Sequence, residues 1–176
     1  MVRACEGGTA RLGTTHPSSR STNPASPEVA NPIAMVATHT PERDRSPLPG
    51  LRALVVEARY YDGIADELLS GARAALEAAA VAYDVLTVDG ALEIPVTIAL
   101  ALELGRQAER PYDLAVALGC VIRGETGHYD IVAGGSAKAL LELSVEVGIP
   151  LGNGILTVET EDQAWARART AEMNKG

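Results

Sequence analysis

Aromatic residues are scarce in this sequence, which contains no phenylalanine, one tryptophan and five tyrosines. A platform that stacks successive nucleic-acid bases needs several exposed rings, so the composition argues against one. The formal net charge is −8, and no run rich in Lys and Arg follows the first predicted strand. Binding to a phosphate backbone requires clustered positive charge. We therefore predict a protein that does not bind nucleic acid.

Cysteine and long apolar runs are also scarce. The two cysteines, Cys5 and Cys120, provide neither a disulfide framework nor a zinc-binding pattern, which fits the reducing conditions of the cytoplasm. The apolar stretches are well short of the roughly 20 residues that a membrane-spanning helix needs. We predict a soluble cytoplasmic protein without a membrane segment.

Residues 1–50 differ from the rest of the chain because they contain most of its prolines and show no apolar periodicity. Such a segment cannot bury enough surface to offset its ordering entropy, which predicts a disordered leader. Its Arg and Ser content also fits a targeting segment, although several acidic residues argue against that. A start site upstream of the true initiator, Met35, is a further alternative. Residues 51–176 are long enough for one domain.

From residue 51 onward, short apolar runs alternate with segments of helical periodicity. The strands are predicted at Leu51–Ala58, Ala82–Val88, Asp113–Ile122 and Ile149–Val158. The helices are predicted at Asp62–Ala80, Pro95–Gln107 and Tyr129–Val147 and from Glu161 onward. Asp62 is expected to cap the first helix, and Pro95 to occupy the first position of the second. Thr160 and Gln163 have the spacing of a capping box for the last helix. This order predicts an α/β fold in which helices cover both faces of a four-stranded parallel sheet.

Ligands of open α/β sheets bind beyond the carboxyl ends of the strands, so the residues that follow each strand are candidates for a site. Tyr60 follows the first strand, and Glu93 follows the second. A Gly-rich polar turn, Gly124–His128, follows the third, and the helix after the fourth carries Arg167. These residue types suit a pocket for a small molecule. Tyr60 could instead close the top of the sheet, and Glu93 could cap the following helix.

His128 is the only histidine of the predicted folded part, since His16 and His39 lie in the leader. Imidazole titrates near neutral pH, so it can both accept and donate a proton. A lone histidine could equally cap or pack the following helix, but its place after a Gly-rich turn at a strand end favours a functional role.

The turn before His128 could present backbone N–H groups to a phosphate at a helix N-terminus. Only its backbone and the Thr126 hydroxyl are plausible donors, because Glu125 repels an anion. No dinucleotide-binding or P-loop pattern is present, and Gly134–Lys138 does not form one. Arg167 could be a bidentate phosphate ligand or a solvated surface charge, and the sequence alone leaves both open.

Three blocks together resemble the lumazine synthase family: GALEIP at 90–95, LGCVIRGETGHYD at 118–130 and GILTVET at 154–160. The resemblance extends over roughly residues 51–176. It implies a three-layer flavodoxin-like sandwich that condenses 5-amino-6-(D-ribitylamino)uracil with 3,4-dihydroxy-2-butanone 4-phosphate. The products are 6,7-dimethyl-8-ribityllumazine, phosphate and water, in the penultimate step of riboflavin synthesis. Neither a metal nor a redox cofactor is implied.

The resemblance also implies roles for individual residues. His128 is expected to transfer protons, Tyr60 to stack on the pyrimidine, and Arg167 to pair with the phosphate. The other expected substrate contacts are Ala91, Leu92 and Glu93 along the ribityl chain, Val121 and Ile122 beside the ring, Glu125 and Thr126 on the phosphate side, and Asn153. Family sites lie between neighbouring subunits of a pentamer or of a multiple of pentamers, and an association with riboflavin synthase is a further expectation.

Several residues depart from the family pattern. Asn153 stands where many members place an aromatic from the adjacent subunit, and Tyr61 stands where Asn is common. Gly134 and Gly135 lie within a predicted helix and would cost it roughly 2 kcal/mol relative to alanine. The last helix ends earlier than is usual. A non-catalytic flavin or lumazine binder and a purely shell-forming homologue therefore stand as alternatives to the enzyme.

Overall fold

The computed structural model describes residues 46–176, so all but the last five residues of the predicted leader lie outside the described residues. The described part alternates strands and helices throughout. The strands are β1 (Arg52–Ala58), β2 (Ala82–Val88), β3 (Leu114–Ile122) and β4 (Leu151–Val158). The helices are α1 (Asp62–Ala78), α2 (Glu93–Gln107), α3 (His128–Val147) and α4 (Glu161–Ala168). The predicted order of elements is confirmed, with boundaries that shift by one or two residues.

The four strands form one parallel sheet in the order β2-β1-β3-β4. Helix α1 packs on one face together with α4, whereas α2 and α3 pack on the other. The predicted three-layer sandwich is confirmed. The chain leaves β1 towards one edge through α1 and returns across β1 to β3 through α2, so the two connections lie on opposite faces. This change of direction between β1 and β3 opens a crevice at the carboxyl ends of the two strands.

Strand β1 lies at the centre of the core. Leu54 and Val56 face α2 and α3, while Ala53 and Val55 face α1, and all four are fully buried. A strand covered on both faces needs apolar residues at successive positions, which explains the continuous apolar run of the sequence. The core therefore holds the carboxyl end of β1, where the crevice begins, on a rigid base.

Helix α3 runs unbroken through Gly134 and Gly135. A Cβ added at Gly135 would lie 3.2 Å from the Leu92 side chain, so this glycine lets α3 approach the turn before α2. The helix ends at Gly148, whose φ of 69° is the left-handed conformation that glycine adopts without strain. Gly135 thus weakens the helix by its low propensity, but its missing side chain lets the two segments pack closely.

The starts of two helices differ from the predictions. Helix α1 begins at Asp62 itself, so the cap position falls on Tyr61, which makes no side-chain cap. The Asp62 carboxylate pairs with Arg59. Helix α2 begins at Glu93, two residues before Pro95. Proline is tolerated throughout a first turn, since the N–H groups there have no partner within the helix.

The predicted capping residues at the start of α4 are confirmed. The Thr160 hydroxyl accepts a hydrogen bond from the Gln163 N–H (3.3 Å), and the Gln163 side chain accepts one from the Glu159 N–H (3.0 Å). We expect Thr160→Ala to lower the free energy of unfolding by about 1 kcal/mol, because the Gln163 N–H loses its partner. Thr160→Ser keeps the hydroxyl and is the matched control. Urea denaturation checks this, and equal stability of the Ala and Ser variants would contradict it.

Helix α4 rests on α1 through Trp165, the single tryptophan of the chain. A Cβ added at Gly63 would lie 2.9 Å from the indole ring, so the close approach requires glycine there. The indole N–H donates to Glu161 (3.1 Å). Within the described residues, no helix is both long and apolar enough to cross a membrane.

Candidate active site

A cavity of about 570 Å³ lies at the carboxyl edge of the sheet, where β1 and β3 are neighbours. Its walls come from the turn after β1, the turn after β2, the end of β3 and the start of α3. Most of the predicted site residues line it: Tyr60, Ala91, Leu92, Glu93, Val121, Ile122, Thr126 and His128. Glu125, Asn153 and Arg167 do not. The expectation that the strand ends converge thus holds for three of the four strands.

Two tyrosines follow β1 and form one wall. The rings of Tyr60 and Tyr61 meet edge to face, with centroids 4.9 Å apart and an interplanar angle of 72°. Tyr61 packs beside Ile122 and Cys120, and this burial raises the pKa of its hydroxyl. Tyr60 remains 75% exposed, so a face of its ring is free for a flat heterocycle.

An ion-pair cluster fixes the turn that carries these tyrosines. Arg59 contacts the buried carboxylate of Glu57 (3.3 Å) as well as Asp66 (2.6 Å). Glu57 also accepts a hydrogen bond from the Thr87 hydroxyl (3.1 Å). The hydrogen bond to Asp66 raises the pKa of Arg59 above its usual value, so the guanidinium stays charged. The cluster ties the end of β1 to both β2 and α1.

The turn after β2 folds tightly around Glu93. The Glu93 N–H donates to the Gly90 carbonyl (3.2 Å), and a Cβ added at Gly90 would lie 2.8 Å from the Glu93 carboxylate. Glycine at position 90 therefore lets the carboxylate lie over its own turn. Glu93 is exposed, Ala91 is buried, and Leu92 contacts α3 near Gly135. The turn presents acceptor oxygens beside apolar surface, which suits a chain of hydroxyl groups.

His128 is the first residue of α3 and is exposed at the cavity. Its backbone N–H lies 3.4 Å from the Thr126 hydroxyl, which accepts from it. The N–H groups of the first helical turn lack partners within the helix and favour a negative charge nearby. The imidazole and this anion-favouring helix end therefore lie together at the cavity.

Three predicted site residues lie away from the cavity of their own chain. Arg167 is half-buried on α4, where its Nη1 donates to the Gln163 carbonyl (2.9 Å). Asn153 is on the edge strand β4, and its side-chain oxygen accepts from the Ile155 N–H (3.0 Å). Glu125 is exposed in the loop before α3. A single chain thus does not bring Asn153 and Arg167 to the cavity.

The cavity also contains residues that the sequence analysis did not select, among them Asp89, Tyr129 and Val132. Asp89 directly follows β2, so the rule that sites form at strand ends would have found it. Val132 follows His128 by four positions, which places it on the same helix face. Nothing in the sequence marked Tyr129 as a cavity residue except its position next to His128.

Neither a nucleophilic thiol nor a metal cluster is evident at the cavity. Burial raises the pKa of the Cys120 thiol to about 11, so it is protonated near neutral pH and poorly nucleophilic. Within residues 46–176, no group of three or more His, Cys, Asp or Glu side chains is gathered as metal ligands. The titratable groups that do line the cavity include His128 and the carboxylates of Asp89 and Glu93.

Sequence comparison adds an independent observation. Residues 50–176 match the family model described as 6,7-dimethyl-8-ribityllumazine synthase. Relatives with this name include one from Methylorubrum populi, which is 70% identical over 129 residues, covering 73% of this chain and 76% of the relative. Another, from Nitrobacter hamburgensis, is 58% identical over 140 residues, covering 80% of this chain and 86% of the relative. This chain belongs to the 6,7-dimethyl-8-ribityllumazine synthase family.

Proposed function

We propose that the cavity between the ends of β1 and β3 is the active site at which this chain makes 6,7-dimethyl-8-ribityllumazine. The reaction joins 5-amino-6-(D-ribitylamino)uracil to 3,4-dihydroxy-2-butanone 4-phosphate. The observation that carries the proposal is that the family match coincides with a cavity whose walls supply a free aromatic face, a carboxylate and an imidazole.

Each wall suits one part of the substrates. The free face of the Tyr60 ring accommodates the pyrimidine, with Val121 and Ile122 as apolar neighbours. The carboxylate of Glu93 accepts hydrogen bonds from the ribityl hydroxyls. The positive end of α3 favours the phosphate group near Thr126. The two substrates then meet beside His128.

The chemistry needs proton transfers and a good leaving group. The substrate amine attacks the ketone and forms an imine with loss of water, phosphate is eliminated, and ring closure loses the second water of the sequence. His128 serves these steps because neutral imidazole accepts a proton and its protonated form donates one. Holding both substrates in one cavity also removes the entropy cost of their encounter.

We further propose that the site is completed by a second copy of the chain. Val96, Leu100 and Leu104 lie on one face of α2, and each is more than half exposed. Such a stripe is typical of a helix that packs against another surface. A neighbouring subunit in a pentamer, or in a multiple of pentamers, would cover this face. It would also supply Asn153 and Arg167, which do not reach the cavity of their own chain.

The decisive assay mixes both substrates with the purified chain and follows lumazine absorbance and phosphate release together. We expect one phosphate per lumazine, because elimination and ring closure belong to the same reaction. Sedimentation of the same sample should show a species of at least five chains. Tight binding of lumazine without turnover would refute the proposed activity, and an active monomer would refute the shared site.

Two further parts of the proposal concern the surroundings of the enzyme. We place the reaction in the cytoplasm, where the absence of a disulfide pattern fits reducing conditions. Riboflavin synthase, which consumes the lumazine product, is the protein partner that we propose.

A further inference from the structure

Arg123 joins three segments around the His128 turn without lining the cavity itself. Its Nη1 lies 3.2 Å from Asp130 in the first turn of α3, and its Nε lies 2.9 Å from Glu159, which connects β4 to α4. The guanidinium also stacks on the Tyr129 ring, 3.9 Å from the ring centroid. The Arg123 backbone N–H donates to the Val158 carbonyl (2.9 Å), so the residue is fixed at both ends.

The turn that Arg123 spans has little else to hold it. A Cβ added at Gly124 or Gly127 would meet no atom within 4 Å, so this stretch packs against nothing on those sides. Glycine also leaves the backbone more freedom than any other residue does. Arg123 ties the start of the turn to α3 just beyond its end, and His128 lies between the two anchors.

The second carboxylate extends the contacts towards α4. The Glu159 N–H donates to the Gln163 side chain (3.0 Å), and the Gln163 carbonyl accepts from Arg167 (2.9 Å). A continuous series of contacts therefore runs from the His128 turn through Arg123, Glu159 and Gln163 to Arg167. Arg167 is the residue that the proposed function assigns to the cavity of the neighbouring subunit.

Stability alone gives little reason for this arrangement. Arg123 is 39% exposed, and its two partners are more exposed still. Exposed ion pairs contribute about 0–1 kcal/mol to stability. What the planar guanidinium does supply is a fixed angle between two carboxylates and a ring, which the ammonium group of lysine cannot reproduce. The hydrogen bond to Glu159 raises the pKa of Arg123, so the group stays charged.

We propose that Arg123 is a positioning residue that orients His128 in its own cavity through Asp130 and orients Arg167 for the neighbouring cavity through Glu159. This inference rests on the proposed function, and it adds that two adjacent active sites share one arginine as their support.

The test separates the two arms by steady-state kinetics with each substrate varied in turn. Asp130→Asn loosens the His128 turn and should lower kcat about 10-fold, because small misplacements of a reacting group are costly. Glu159→Gln loosens the α4 arm and should raise the KM for the sugar phosphate about 10-fold by the same argument. Arg123→Lys should show both effects. The KM for the pyrimidine should stay at the wild-type value in all three variants.

Arg106→Gln is the matched control, because Arg106 also pairs with a carboxylate, Glu103, but on α2 away from the cavity. Its kinetic constants should equal those of the wild type. A purely structural role predicts instead a lower melting temperature and a loss of activity shared by all kinetic constants, which would overturn the inference. Unchanged kinetics in Arg123→Lys would overturn it as well. If His128→Ala and Arg167→Ala also leave the kinetics unchanged, the site assignment on which this inference rests is wrong. If the wild-type chain makes no lumazine, the proposed function itself fails.

Discussion

His128→Ala should lower kcat roughly 10- to 10³-fold while leaving the KM for both substrates within a few-fold of the wild type. The imidazole is exposed at the cavity and follows the turn in which Thr126 accepts the His128 N–H. Its loss removes the proton carrier but not the walls that bind the substrates. The lower edge of the range applies if positioning supplies most of the rate enhancement. Single-turnover measurements with saturating substrates separate this chemical effect from binding.

His128→Gln is the informative companion variant. Glutamine keeps a polar side chain of similar reach but does not titrate near neutral pH. The two variants should therefore be about equally slow. Wild-type turnover in either variant would show that His128 is not the proton-transfer group.

Arg167→Ala should raise the KM for the sugar phosphate about 10- to 100-fold, because hydrogen bonds between charged groups contribute roughly 1.5–3 kcal/mol. Within its own chain the Arg167 side chain donates to the Gln163 carbonyl in the first turn of α4. If Arg167 serves the neighbouring cavity, a chain that lacks His128 can still supply Arg167 to its neighbour. A chain that lacks Arg167 can still supply His128 to its own cavity.

Co-assembly of the His128→Ala and Arg167→Ala chains in equal amounts should therefore restore activity to about one quarter of the wild-type value, the fraction of interfaces with both groups in a ring of randomly placed subunits. Each variant alone stays slow. Co-assembly of His128→Ala with His128→Gln is the control and should restore nothing. Failure of the mixed rings to exceed the sum of the separate activities, with mixing verified by mass spectrometry, would place Arg167 and His128 in the same subunit.

The fold could be predicted well because its signals are local. Continuous apolar runs that alternate with segments of helical periodicity indicate strands buried on both faces of a parallel sheet. The full burial of Leu54 and Val55, which face opposite sides of the sheet, agrees with this. One error occurred where the carboxylate of a predicted cap has a side-chain partner instead. Asp62 pairs with Arg59 rather than capping α1, and nothing in the local sequence reveals that choice.

The candidate site was predictable only in part. Residues at strand ends could be found from topology, which explains Tyr60, Glu93 and His128. Asn153 came from the family resemblance alone, and Arg167 also from its place after the fourth strand. A single chain places neither of them at the cavity, and in the proposed function a second copy supplies both. The proposed support of the His128 turn by Arg123 depends on contacts between β3, α3 and the start of α4. Such contacts between distant segments leave no periodic pattern in the sequence, so they could not be predicted from it.

The placement of Trp165 makes the chain its own optical reporter. With a single tryptophan in the whole sequence, near-ultraviolet emission above the tyrosine band comes from one ring, wedged between α4 and Gly63. That ring lies two residues before Arg167 and outside the cavity walls. A change in its emission when substrate binds would therefore report on α4, the helix that the proposed function assigns to the neighbouring cavity.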